Sequence, residues 1–280
     1  MAEPPKKKRK LPSLDSLFDA PVRPTDSPDL HQGRKRTVPH ERGQWASHVY
    51  LELEPSPAFR KLLKDAVALS TASPFGSSAE CTSPSTIHSL LDGPSRPSLT
   101  SSSRPNAPAD ATALLSEPSA AGEALHLSLS RPLVVRTNQK GELRAGVARV
   151  AKEAAGFSAR YASFGVLEND ERTRRFLGIE VGAGYDEMHS LLRKVDEMLV
   201  SLRLPTYYET PRFHTSLAWS SLSSSSGLPA GALPFSDTLL QQLEQQYGKR
   251  LRAEDLYVSE LCVKIGKDVA RFALSGRKGQ

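Results

Sequence analysis

Two five-residue stretches constrain the fold of this chain more than any other feature. They read Leu-His-Leu-Ser-Leu at 125–129 and Phe-His-Thr-Ser-Leu at 213–217. In a β-strand, residues two apart point to the same face, so each stretch predicts a strand with one apolar face. The opposite face presents a histidine and a serine side by side: His126 with Ser128, and His214 with Ser216.

The repetition of this pattern 88 residues apart allows two interpretations. In the first, two similar lobes each contribute one strand to a central cleft, and the histidines form a paired active site. In the second, the two histidines are structural residues with satisfied hydrogen bonds. The other five histidines have no serine or threonine two residues later, and the pattern alone leaves both interpretations open.

The rest of the hydrophobic pattern mixes strands with helices. Alternation predicts strands at 46–53, 124–129, 161–167, 175–181, 213–219, 256–265 and 269–274, and helical spacing predicts helices at 58–69, 143–154, 188–199 and 239–247. Turn residues at 169–170 and 266–268 predict hairpins, which are typical of antiparallel sheets. The predicted fold class is therefore α+β with antiparallel sheets.

Composition divides the chain into a tail, a domain and an insertion. Residues 1–37 are predicted to be a disordered basic tail, because so polar a segment buries too little apolar surface to offset its ordering entropy. The five cations Lys6–Lys10 predict a nuclear localisation signal, with a solvated charge run as the alternative. Residues 38–280 are predicted to form one domain, interrupted at 70–120 by a disordered Ser/Pro-rich insertion. A phosphorylated regulatory segment is the other interpretation of that insertion.

Charge and cysteine content exclude several classes of protein. The net charge is +6, and residues 1–46 account for +4 of it, with ten Lys/Arg against six Asp/Glu. The rest of the chain is therefore nearly neutral, and a nucleic-acid function must be argued from a site and not from the total charge. Two cysteines are too few for a disulfide scaffold or a four-cysteine zinc site. No run of about 18 apolar residues occurs, so no membrane span is predicted.

Two imidazoles and two hydroxyls suit displacement at phosphorus. One histidine can act as base while the other acts as acid on the opposite side of the phosphate, and the serines can bind the non-bridging oxygens. The sequence has no Walker A or HExxH motif and no carboxylate cluster at ligand spacing, so no metal or other cofactor is predicted. A nucleophile already present in the substrate, such as the 2′-hydroxyl of RNA, fits this set of residues.

On these residues the sequence resembles the two-histidine phosphoesterase superfamily, whose signature is a pair of His-x-Ser/Thr strands. More narrowly it resembles the U6 small nuclear RNA phosphodiesterase family, over VPHERGQWASHVYLEL (38–53), LHLSLSRPLVVR (125–136), ERTRRFLGIEV (171–181) and LPTYYETPRFHTSLAW (204–219). The resemblance implies a bilobal α+β fold, with two pseudo-symmetric lobes around a central cleft. It also implies a nuclear, metal-independent 3′–5′ exoribonuclease that trims the uridine-rich 3′ end of that RNA. We expect RNA as the partner, a monomer, and no association with a membrane.

The resemblance also implies roles for individual residues. His214 is expected to be the base towards the 2′-hydroxyl and His126 the acid towards the leaving 5′-oxygen, while Ser128 and Ser216 hold the phosphate. Tyr208 is expected to stack on the terminal base, with a core or rim tyrosine as the alternative. Further substrate contacts are expected from Leu127, Thr215, Phe213, Arg212 and Asp170.

The sequence differs from the family pattern at one predicted contact, and two other functions are compatible with the same strands. Asp170 stands where the family carries a neutral amide, and a carboxylate there would repel RNA phosphates. A cyclic phosphodiesterase acting on small nucleotides or RNA ends would use the same strands. A nuclear RNA-binding protein without catalysis is the third possibility, and the presence of both histidines and both serines argues against it.

Overall fold

The computed structural model describes residues 41–72, 87–91, 124–222 and 233–276. The predicted tail at 1–37, with its nuclear signal, lies outside the described residues. So does most of the predicted insertion at 70–120. Within that range two stretches have regular structure, namely the end of a helix at 70–72 and a short strand at His88–Ser89, so these residues are exceptions to the predicted disorder.

The described residues form four helices and eleven strands. The helices are α1 (Pro57–Ala72), α2 (Gln139–Glu153), α3 (Tyr185–Ser201) and α4 (Asp237–Leu251). The strands are β1 (Gln44–Leu53), β2 (His88–Ser89), β3 (Leu125–Ser128), β4 (Leu133–Arg136), β5 (Phe157–Ala159), β6 (Tyr161–Glu168), β7 (Arg174–Val181), β8 (His214–Ser221), β9 (Leu256–Val258), β10 (Glu260–Ile265) and β11 (Asp268–Ala273). All the strand pairs are antiparallel, which confirms the α+β class.

A five-stranded sheet, sheet A, carries the first His-x-Ser strand. Its order is β11-β10-β1-β3, and β4 pairs with the other end of β1. The register places Glu52 opposite His126 and Tyr50 opposite Ser128. Ser130 lies two residues after Ser128, the last residue of β3 that pairs with β1. Its hydroxyl accepts a hydrogen bond from the Val49 amide at 2.9 Å, which fixes the register of the two strands.

A four-stranded sheet, sheet B, carries the second His-x-Ser strand. Its order is β2-β8-β7-β6. The register places Glu180 opposite His214 and Gly178 opposite Ser216, next to a bulge in the pairing of β7 with β8. The hairpin that joins β6 to β7 is closed by Asn169, whose side-chain oxygen accepts hydrogen bonds from the amides of Thr173 and Arg174.

The helices cover the apolar faces of the two sheets. Helix α2 packs against β10, β11 and α3, while α4 packs against β6 and α1. Each helix buries one apolar stripe, as Met188, Leu191, Leu192, Val195, Met198 and Leu199 do on α3. Helix α4 is capped by Ser236, the residue before its first turn, whose hydroxyl accepts a hydrogen bond from the Leu239 amide at 3.3 Å.

Most predicted elements match the structure within a few residues, but one strand prediction was wrong. The predicted strand at 256–265 is two strands that separate at Ser259: β9 pairs with β5 in a two-stranded sheet, whereas β10 joins sheet A. The bilobal, pseudo-symmetric arrangement stays a prediction.

Candidate active site

The two His-x-Ser strands lie side by side. Strand β3 of sheet A contacts strand β8 of sheet B. In both strands the predicted alternation is confirmed: Leu125 and Leu127 are buried while His126 is half-buried and Ser128 exposed, and His214 and Ser216 are half-buried between buried neighbours. The two histidines are therefore on neighbouring strands, each on the face that its apolar residues leave uncovered.

His126 lies against a polar row on β1. Its ring stacks on Tyr50 with centroids 4.7 Å apart, and its Nε2 lies 3.8 Å from Oε1 of Glu52. That nitrogen is shielded from solvent and makes no hydrogen bond, although 28% of the whole side chain is exposed. Burial lowers the pKa of His126, and the Glu52 carboxylate acts in the opposite direction.

His214 is held by main chain rather than by a carboxylate. Its Nδ1 lies 2.7 Å from the carbonyl oxygen of Arg212, which can only accept, so Nδ1 carries the proton and Nε2 has the free lone pair. Burial lowers the pKa of His214, while the hydrogen bond to this carbonyl raises it. Glu180, opposite His214, forms an ion pair with the Arg212 guanidinium; the carboxylate raises the pKa of His214 and the guanidinium lowers it. This environment favours a neutral imidazole that can accept a proton.

The two serines have different neighbours. Ser128 is exposed, and its cross-strand partner is the buried Tyr50. Ser216 is half-buried, and the residues beside it across the sheet are Gly178 and then Gly165. A Cβ at Gly178 would meet the Leu167 side chain, and a Cβ at Gly165 would meet the Glu180 carboxylate. These two side chains therefore occupy the space that the glycines leave.

Tyr208 is a partly exposed residue whose ring and hydroxyl each contact a charged residue. It is 37% exposed, the guanidinium carbon of Arg131 lies 4.1 Å from its ring centroid, and its hydroxyl bonds to Asp170. Burial, followed by the hydrogen bond to Asp170, raises the pKa of Tyr208. Asp170 is thus placed beside a tyrosine hydroxyl, which the repulsion argument from the sequence had not anticipated.

Three of the predicted substrate contacts have buried side chains. Leu127, Thr215 and Phe213 are at most 2% exposed. Thr215 shares a hydrogen bond of 2.7 Å with the Tyr161 hydroxyl, and the Phe213 ring packs against Tyr185 and Tyr207. Only the main chain of these three residues is in a position to contact a substrate.

Sequence reasoning missed four residues at the histidines: Tyr50, Glu52, Glu180 and Arg271. The pattern His48-Val-Tyr50-Leu-Glu52 does indicate a polar face on β1. It does not say which strand lies opposite, and the pairing with β3 is what brings Glu52 to His126.

The described residues lack two further features. Among them, no group of three or more His, Cys, Asp or Glu side chains is arranged to bind a metal ion. No helix in the same part of the chain is both long and apolar enough to cross a membrane.

An α+β fold with two adjacent His-x-Ser strands has the features of the two-histidine phosphoesterase class. The chain belongs to the HVSL family, described as an uncharacterised conserved protein, whose model matches residues 10–273.

Relatives and solved structures similar to the chain carry related names. The protein named U6 snRNA phosphodiesterase 1 from Danio rerio is 29% identical over 198 residues, covering 70% of this chain and 55% of that protein. Its counterpart from Mus musculus is 30% identical over 217 residues, covering 75% and 64%. The chain thus spans less than two thirds of the length of these two relatives. Usb1 from Kluyveromyces marxianus with uridine monophosphate is 15% identical with a TM-score of 0.49, covering 82% of this chain and 98% of that one.

Proposed function

We propose that this chain is a metal-independent 3′–5′ exoribonuclease that trims the uridine-rich 3′ end of U6 small nuclear RNA. The observation that carries the proposal is the placement of His126 and His214 on adjacent strands in unlike environments. The proposal is supported by the name of the relatives in Danio rerio and Mus musculus, which refers to a phosphodiesterase of that RNA.

In the proposed reaction His214 is the base and His126 the acid. The Nε2 lone pair of His214 takes the proton from the 2′-hydroxyl of the penultimate nucleotide, and the 2′-oxygen forms a bond to the adjacent phosphorus. The bond from phosphorus to the 5′-oxygen of the terminal nucleoside breaks, and protonated His126 donates a proton to that oxygen. The products are a nucleoside and an RNA end with a 2′,3′-cyclic phosphate.

The serines and Tyr208 bind the substrate in this proposal. The hydroxyls of Ser128 and Ser216 donate hydrogen bonds to the non-bridging phosphate oxygens, where charge increases in the transition state. The exposed ring of Tyr208 stacks on the terminal base, an interaction that tolerates any base and is worth about 1–3 kcal/mol. Arg131 and Asp170 hold the ring from one face and from its hydroxyl.

The remaining predicted contacts are assigned to main chain and to one guanidinium. Leu127, Thr215 and Phe213 contact RNA through peptide groups next to the catalytic residues, since their side chains are buried. The exposed Arg212 guanidinium, paired with Glu180, lies beside His214, where it can meet a phosphate. The cations Lys6–Lys10 direct the protein to the nucleus, and it acts as a monomer.

The proposal is tested with oligouridine labelled at either its 5′ or its 3′ end, incubated with the full chain in excess EDTA. A one-nucleotide ladder that shortens from the 3′ end is expected. His126→Ala and His214→Ala should each lower the rate by about 10²–10⁴-fold. The matched control is His189→Ala, because His189 is an exposed histidine on α3.

Other outcomes select another function. Opening of a preformed 2′,3′-cyclic phosphate without shortening would indicate the cyclic phosphodiesterase. Binding of oligouridine without any cleavage, equal in all variants, would indicate a binding protein and overturn the proposal.

A further inference from the structure

An ion pair joins β1 to β11 across the intervening strand β10 of sheet A, next to His126. Glu52 on β1 binds Arg271 on β11 through two hydrogen bonds, from Nε at 2.8 Å and from Nη2 at 3.0 Å. The Tyr50 hydroxyl also donates to Glu52 at 3.2 Å. Three donors therefore fix this carboxylate, and only 11% of its side chain is exposed. A carboxylate so held keeps a constant position relative to the His126 ring.

The ring of His126 is directed at this carboxylate. Glu52 lies directly opposite His126 in the register, and Oε1 is 3.8 Å from Nε2. That separation is too long for a hydrogen bond but short enough for strong Coulomb attraction to an imidazolium. His214 differs because its Nδ1 faces the carbonyl oxygen of Arg212, whereas the glutamate opposite each histidine is ion-paired to an arginine.

We propose that Glu52, held by Arg271, is a positioning residue that keeps His126 oriented and stabilises its protonated form as the general acid. The catalytic part of this inference rests on the proposed function. The effect of Glu52 on His126 does not, because it can be measured in the absence of RNA.

Two cations near His126 act against Glu52, namely Lys264 on β10 and Arg271 on β11. The other titratable groups around the ring are His48 and Tyr50 on β1 and Cys262 on β10. Burial lowers the pKa of His126 most strongly, Lys264 and Arg271 lower it further, and Glu52 raises it. Glu52 is thus the carboxylate that favours the protonated ring against two cations and a dry environment, which together leave the pKa of His126 below its ordinary value.

The two members of the ion pair therefore give opposite predictions. Glu52→Gln retains a hydrogen-bond acceptor for Arg271 but removes the negative charge, so imidazolium is less favoured and His126 titrates at lower pH. Arg271→Gln removes a cation and leaves the carboxylate, so His126 titrates at higher pH. A structural role alone would not produce shifts of opposite sign.

The test is an NMR titration of the full chain carrying ¹³C-labelled histidine, with His126 assigned from His126→Gln. Glu52→Gln should lower the His126 midpoint by about one pH unit, the lower end of the effect of an opposite charge at 4–6 Å. Arg271→Gln should raise it. The control is Glu260→Gln, on the adjacent strand β10, which should leave the midpoint unchanged. Unchanged midpoints in both test variants would overturn the proposal, and so would shifts in the same direction.

A second readout connects this effect to catalysis. In the pH profile of kcat/KM, the limb that requires protonated His126 should move in the same direction as the NMR midpoint, with Glu52→Asp closer to wild type than Glu52→Gln. If Glu52→Gln does not fold, the exposed Arg271→Gln still tests the sign. An inactive wild-type chain with shifted NMR midpoints would reject the proposed function and retain the effect of Glu52. A profile that stays fixed while the midpoints shift would reject the catalytic part.

Discussion

Replacing Thr215 with valine should destabilise the domain and leave catalysis intact. Thr215 lies between His214 and Ser216, but its side chain is 2% exposed and its hydroxyl is 2.7 Å from that of Tyr161, itself 1% exposed. Valine has the same shape, so packing is kept and the Tyr161 hydroxyl loses its partner. An unsatisfied buried hydroxyl costs about 1–3 kcal/mol.

The magnitude can be isolated with a double-mutant cycle. Tyr161→Phe alone should cost a similar amount, since it leaves the Thr215 hydroxyl unpaired. The double variant Thr215→Val/Tyr161→Phe removes both partners and should be less destabilised than the sum of the single variants by about 1–3 kcal/mol. Urea unfolding at neutral pH, followed by far-UV circular dichroism, gives all four free energies of unfolding.

Catalysis provides the second half of this prediction. Because Thr215 can contact a substrate only through its peptide groups, kcat/KM on oligouridine should match wild type below the unfolding transition. Additive destabilisation in the cycle would refute the hydrogen bond. A fall in kcat/KM for a folded Thr215→Val variant would refute the view that this side chain belongs to the core.

Three further predictions concern pH, base stacking and the tail. Burial, with contributions from His126 and Lys264, lowers the pKa of His48 from 6.5 to about 3, so its contribution to stability is complete above pH 6.5 and is lost as the pH falls towards 3. The free energy of unfolding should fall by about 1.4 kcal/mol per pH unit in this window from His48 alone, and His48→Gln, but not His189→Gln, should flatten that slope in urea titrations. Tyr208→Ala should weaken oligouridine binding by about 1–3 kcal/mol in fluorescence anisotropy, whereas Tyr208→Phe should retain most of the affinity; equal losses would contradict stacking. Deletion of residues 1–37 should preserve activity on short RNA but abolish nuclear accumulation of a fluorescent fusion, and unchanged accumulation would exclude Lys6–Lys10 as the signal.

Local pattern was sufficient to predict the strands that carry the site. Alternation over 125–129 and 213–217 correctly assigned which side chains are buried, because strand geometry fixes the two faces without knowledge of the neighbours. The Asn169 turn and the helical stripe of α3 were predictable for the same reason.

Features that depend on pairing between distant strands could not be predicted. Glu52 and Arg271 are 219 residues apart in sequence, and only the order β11-β10-β1-β3 brings them together beside His126. The short strand His88–Ser89 lies in a Ser/Pro-rich segment and owes its structure to pairing with Trp219 and Ala218. The break at Ser259 is equally hidden, because β9 and β10 are both apolar and differ only in their partners.

The central claim is that two histidines use the 2′-hydroxyl of RNA as the nucleophile. It is tested most directly with oligouridines that each contain one 2′-deoxy position, digested by the wild-type chain in excess EDTA. We expect trimming to stop where the deoxy sugar would have to supply the attacking oxygen, and to proceed when only the departing terminal sugar is deoxy. Cleavage that continues past an internal deoxy position would mean that water attacks the phosphorus, and the roles assigned to His126 and His214 would be wrong.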